Sequence, residues 1–152
     1  MDDPLIIYEI IQVILSANNS KKQELGRRFA ARLGLTPGVA GPDDGIDGFG
    51  WDQNRKIHFQ CKLRAKKLDK DDARMYYSDI DYHCVDLSVM LAGSGYKDTF
   101  IERLYGHRYI DNYKIYLLTL DDIFQETPAF EEAVEELPPL RDLGLIDWKT
   151  IK

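Results

Sequence analysis

Gly45-Ile46-Asp47-Gly48-Phe49-Gly50-Trp51, a tight turn at Gln53-Asn54-Arg55-Lys56, and then Ile57-His58-Phe59-Gln60-Cys61-Lys62 decide how this chain reads. The first run predicts a strand over about 46–52, with an acid, Asp47, at its start. The second predicts a strand over about 56–64 that alternates cleanly, Ile57, Phe59, Cys61 and Leu63 facing one way and His58, Gln60, Lys62 and Arg64 the other. Such a hairpin gathers a carboxylate, a polar amide and an ammonium at one edge of a sheet. That set of groups suits hydrolysis of a phosphodiester.

Working outward, Ile6, Ile7, Ile10, Ile11, Ile14 and Leu15 recur at helical spacing and predict a helix over 4–17, which Asn18-Asn19 breaks. Ser20, with Gln23 three residues on, has the pattern of a capping box. A second helix is then expected over 20–33, ending at Gly34, with Leu25, Phe29 and Leu33 as its apolar stripe and Glu24 beside it. Residues 34–45 hold four Gly and two Pro and read as loop, with a short strand around Leu35 to Val39. Beyond the hairpin, Asp69 or Asp71 opens a helix to about Tyr82. The apolar run Cys84 to Ala92 reads as a central strand, followed by a Gly93-Ser94-Gly95 turn. A helix over 97–105, a strand over 113–120, a short helix capped by Asp121-Asp122 and an acidic helix over Pro128 to Leu137 complete the order. Two helices, two strands and then alternating helices and strands predict an α/β domain with a mixed central sheet flanked by helices.

At 152 residues the chain suits one domain over 1–152, with an N-terminal helix in 1–19, a core over 20–125 and an acidic C-terminal extension over 126–152. A chain of this size buries roughly 68–70% of its unfolded surface on folding. The net charge of −6 is unevenly placed: residues 1–120 hold 17 basic and 17 acidic side chains, and residues 121–152 hold 3 and 9. The neutral body leaves nucleic-acid binding open despite the acidic total. Cys61 and Cys84 lack metal-type spacing and sit in apolar runs, so they read as two buried free thiols of a reducing compartment. Met-Asp-Asp-Pro is not a basic signal-peptide start, and Leu5 to Leu15 is too short for a membrane span of about 20 residues, so a cytoplasmic protein is expected. No P-loop, GxGxxG, HExxH or Gly-x-Ser-x-Gly pattern occurs.

Phosphodiester cleavage calls for a divalent cation to neutralise the phosphate and acidify the attacking water. Mg²⁺ accepts hard oxygen ligands and often takes only one or two protein carboxylates. Asp47 supplies one, Gln60 a side-chain carbonyl, and Cys61 a backbone carbonyl. Glu24 reaches the ion through a water. Lys62 orients the nucleophile and steadies charge on phosphorus.

These residues resemble the PD-(D/E)XK nuclease superfamily, and most closely its Mrr-like restriction endonuclease branch. The matching text is Gln23-Glu24-Leu25-Gly26, Asp44-Gly45-Ile46-Asp47-Gly48 and Phe59-Gln60-Cys61-Lys62-Leu63, continued by Gly93-Ser94-Gly95-Tyr96 and the strand running into Asp121-Asp122. The resemblance spans roughly residues 20–125. It implies a restriction-endonuclease-like fold and a DNA endonuclease using Mg²⁺ or Mn²⁺, with Asp47 and Lys62 as the central pair. Gln60 stands where the superfamily pattern has an acid, which places more weight on Glu24. The literal Pro42-Asp43 is a decoy in the loop.

Phosphate contacts are expected from Arg64, Lys66 and Lys67, which continue the Lys62 strand, and from Arg28 on the second helix. Tyr76, Tyr77 and Tyr82 could stack on bases, but their helical spacing favours packing. His58 reads as a surface strand histidine. The acidic run Glu131 to Glu136 reads as a solvated helix face. A homodimer would suit the cutting of two strands. The rival readings are a catalytically weak module of the same fold that binds DNA or a partner protein, and a regulatory protein that uses its acidic end as an interface.

Overall fold

A computed structural model of the chain describes residues 3–38 and 46–141. Pro42-Asp43 and Asp44-Gly45 lie outside the described residues. The elements follow the expected order: α1 (Pro4–Ser16), α2 (Asn19–Arg32), β1 (Thr36–Pro37), β2 (Gly48–Asp52), β3 (Arg55–Lys62), α3 (Lys70–Tyr82), β4 (Leu87–Ala92), α4 (Asp98–Tyr105), a 3-10 turn (Ile110–Asn112), β5 (Lys114–Thr119), α5 (Leu120–Gln125) and α6 (Pro128–Val134). The sheet order is β1-β2-β3-β4-β5. The pairs β1–β2 and β2–β3 are antiparallel, and the pairs β3–β4 and β4–β5 are parallel. The expected mixed α/β fold is present.

Each face of the sheet buries its own core. On one face Phe29, Ile57, Phe59, Val89 and Leu91 pack with α1, α2, α5 and α6; on the other Met90, Ala92, Tyr76, Ile80 and Phe100 pack with α3 and α4. Alternate side chains of β4 therefore enter opposite layers, and every residue of β4 is buried. Phe130, Ala133 and Leu137 belong to the first core, so this part of the acidic extension is built into the fold. Among the described residues no helix is long and apolar enough to cross a membrane.

Local chemistry corrects three expectations. The cap of α2 is Asn18, not Ser20: the Asn18 side chain accepts the Lys21 N–H at 2.9 Å, and the helix starts a residue early. Cys84 is exposed and precedes β4. It adopts φ 53° in the turn that ends α3, where its N–H donates to Asp81 and the Val85 N–H returns to Ile80. His58 is not a surface residue. β3 lies between β2 and β4 and is covered on both faces, so His58 is 2% exposed and Gln60 5% exposed. The alternation of β3 thus separates two buried environments rather than core from solvent.

Candidate active site

Asp47 sits one residue before β2 and is tied by three hydrogen bonds to two segments, β3 and the residue after β1. Its N–H donates to the Phe59 carbonyl at 2.9 Å, and its carbonyl accepts the Gly38 N–H at 2.8 Å. Its Oδ2 accepts the Cys61 N–H at 2.7 Å. The side chain thus takes a place that a ladder carbonyl would fill, which holds the carboxylate at the edge of the sheet beside the end of β3.

The neighbouring glycine makes this approach possible. A Cβ on Gly48 would stand 2.5 Å from the Ala30 Cβ of α2. Cys61 packs in the same way against Gly26, whose added Cβ would lie 3.5 Å from the Cys61 Cβ. Small residues at 26, 30 and 48 let α2 press against the hairpin, and its first turns then overhang the end of β3.

A cleft of about 250 Å³ opens between them. The hairpin contributes Asp47, Cys61 and Lys62, α2 contributes Asn19, Lys22, Gln23 and Gly26, and Leu63 and Arg64 complete the wall. Asp47 and Lys62 thus share one cleft at the C-terminal end of a sheet strand, a usual position for ligands in open α/β folds. Burial, with the negative charge of Asp47 added to it, pushes the Cys61 thiol well up, so the thiol stays neutral.

Glu24 is not among the residues lining the cleft. Its carboxylate bridges Arg27 at 3.3 Å and Arg28 at 3.2 Å on its own helix. Arg28 is correspondingly engaged in a surface pair. Arg27 also donates from Nε to the Gly38 carbonyl at 3.0 Å, which ties α2 to the segment that holds Asp47. Arg64 pairs with Asp72 at 2.8 Å while half exposed, and Lys66 and Lys67 are exposed beyond it.

Gln60 turns toward α3. Its Nε2 donates to Asp79 Oδ2 at 3.3 Å, while Oε1 has no hydrogen-bond partner. His58 Nδ1 meets Ser88 Oγ at 2.8 Å, and the Tyr76 hydroxyl bonds the same Ser88. Tyr76 is thus core and Tyr77 stacks on His107 at 3.7 Å, whereas Tyr82 is 75% exposed.

Among the described residues no group of three or more His, Cys, Asp or Glu could hold a metal. A Mg²⁺ site completed by water and substrate does not need three. At the hairpin one fixed carboxylate, on Asp47, is available for a site of that lighter kind, whereas Gln60 is not among the residues lining the cleft.

Two contributors are not evident from the sequence alone. Lys22 enters the cleft because α2 packs close to the hairpin, and the small residues Gly26, Ala30 and Gly48 are the signal that could have found it. Asp79 reaches Gln60 from α3, and helical phase counted from the cap at Asp69 could have pointed there. No model of a known protein family matches the chain, and no curated protein matches it.

Proposed function

We propose that the chain is a DNA endonuclease that hydrolyses phosphodiester bonds at this cleft with Mg²⁺ or Mn²⁺. The observation that carries the reading is the joint lining of one cleft by Asp47 and Lys62, with Lys22 and Arg64 beside them. A carboxylate and an ammonium in a cleft walled by further cations fit a phosphate carried on a divalent ion. Asp47 and the Cys61 carbonyl would hold the ion, with water and substrate oxygens completing its shell. When bound, the ion neutralises the phosphate and acidifies an attacking water.

The protein groups supply positioning and charge. The Cys61 N–H fixes Asp47 in one rotamer. Lys62 orients the water and stabilises negative charge as it grows on the phosphoryl oxygens. Lys22 and Arg64 grip flanking phosphates, with Lys66 and Lys67 extending that track. The Cys61 and Cys84 thiols fit a reducing cytoplasm.

The test is cleavage of supercoiled and linear DNA with Mg²⁺ or Mn²⁺, for the native chain and Lys62→Ala. We expect metal-dependent cutting by the native chain and a loss of roughly 10²–10³ in kcat on removing the ammonium. No metal-dependent cutting, or equal cutting by the variant, overturns the reading. The engagement of Glu24 by Arg27 and Arg28 favours a second reading, a weak or inactive module that binds DNA. Salt-sensitive binding without turnover supports that one.

A further inference from the structure

Arg64 stands two residues past the end of β3, lines the cleft, and is held at both its backbone and its side chain. The Ser94 hydroxyl donates to the carbonyls of Arg64 at 3.3 Å and Ala65 at 2.5 Å. A Cβ on Gly93 would stand 2.7 Å from the Arg64 carbonyl oxygen, so the turn after β4 fits closely against this backbone. The guanidinium is held from α3, where its Nη1 meets Asp72 Oδ1 at 2.8 Å.

Asp72 has both carboxylate oxygens committed. Oδ2 accepts the Asp69 N–H at 2.9 Å in the capping box of α3, and Oδ1 takes Arg64. The Asp72 side chain is 7% exposed and that of Arg64 51%. A fixed, buried acid thus faces a half-exposed base. Two mobile surface partners would leave the guanidinium free to swing; an acid locked into a helix cap gives it one direction. The guanidinium carries five N–H groups in a rigid fork. Part of the fork is spent on Asp72, and the exposed remainder is free to take an anion. For attraction alone the acid is a disadvantage, because it offsets the charge of Arg64 beside a cleft that already holds the Asp47 carboxylate. What it supplies is direction.

We propose that Asp72 is a positioning residue, which holds the Arg64 guanidinium in the direction that receives a backbone phosphate of DNA in the cleft. The inference rests on the nuclease reading above. Asp72 itself touches no substrate.

The experiment measures kcat at saturating DNA and, in EDTA, affinity for the same DNA over a range of salt, with thermal unfolding as a check on folding. Arg64→Ala should lower kcat about tenfold or more and reduce the slope of log affinity against log salt by about one, for one lost phosphate contact. Asp72→Asn should also lower kcat about tenfold or more, since small misplacements of a binding group are costly. Its affinity in EDTA should stay native or tighten, because a negative charge is removed. In the Arg64→Ala background Asp72→Asn should cost no further rate. Arg64→Lys keeps the box of α3 and the charge but lacks the fork, so it decides the matter even where Asp72→Asn does not fold: it should keep the native salt slope and lose kcat as Asp72→Asn does. Native kcat in Asp72→Asn or in Arg64→Lys overturns the inference. So does an equal loss from Asp72→Asn in the native and Arg64→Ala backgrounds, which marks a merely structural acid and leaves the nuclease reading intact. A native chain that cuts no DNA overturns the inference and the nuclease reading together.

Discussion

Gly48 shows how one absent side chain sets the geometry of the cleft. α2 comes so near the start of β2 that an added Cβ would sit 2.5 Å from the Ala30 Cβ and 3.4 Å from Phe59. Neither neighbour can yield easily, since Ala30 and Phe59 are fully buried. Gly48→Ala must therefore lift α2 from the hairpin. Overpacking of this kind costs about 1–3 kcal/mol, and chemical denaturation should show a loss in that range. The same shift would withdraw Lys22 from Asp47 in the cleft, so on the proposed nuclease reading cleavage should fall more than stability alone explains. A variant as stable as the native chain shows that α2 has slack here.

At the level of elements, α3 is held by its first turn. Asp69 accepts from the Asp71 and Asp72 N–H groups, and Asp72 returns a bond to the Asp69 N–H at 2.9 Å. These bonds, the Asp72 bond largest among them, hold the Asp69 carboxyl below its ordinary value. Asp69→Ala should lower stability by removing the cap, read as a lower denaturation midpoint. Asp72 also pairs with Arg64, so losing the box should loosen Arg64 at the cleft wall. The periods of α1, α3 and α4, and the Asp69 cap of α3, were legible because local chemistry alone decides them. The face assignment of β3 was not. Alternation predicts two faces, but only the sheet order says that α3 covers the one carrying His58 and Gln60. Asp47 and Lys62 were legible as neighbours because a hairpin makes them local. Glu24 was legible only as a helix acid, and the structure pairs it with Arg27 and Arg28 of its own helix. Asp79 was not legible as a partner of Gln60, because only the packing of α3 on β3 brings the two together.

Over the whole molecule, Glu136 joins the segment after α6 to the strands β3 and β5. Arg55, at the start of β3, donates to its Oε1 at 3.1 Å and to its backbone carbonyl at 3.1 Å. Lys114, at the start of β5, bonds Oε2 at 2.8 Å, and the Tyr116 hydroxyl donates to the same oxygen. The run that reads as a solvated face thus contains one carboxylate that binds three side chains on two strands, β3 and β5. Burial pushes the Glu136 carboxyl up, but the bonds from Lys114, Tyr116 and Arg55 outweigh it and hold the carboxyl at about 2, against an ordinary 4.5. A carboxyl lowered by folding adds stability above its unfolded value, and that stability is lost as pH falls toward the folded value. The native chain should therefore lose stability from about pH 4.5 down to about pH 2. Glu136→Gln keeps the shape and loses the charge. It should be less stable at pH 7 by roughly 1–3 kcal/mol, as expected for hydrogen bonds to a charged group. Its denaturation free energy should also fall less steeply than the native chain's across the acid window. Parallel pH curves would show that the clasp carries no net charge energy and that packing of Phe130, Ala133 and Leu137, with the Arg32–Arg141 bonds, holds this segment to the core.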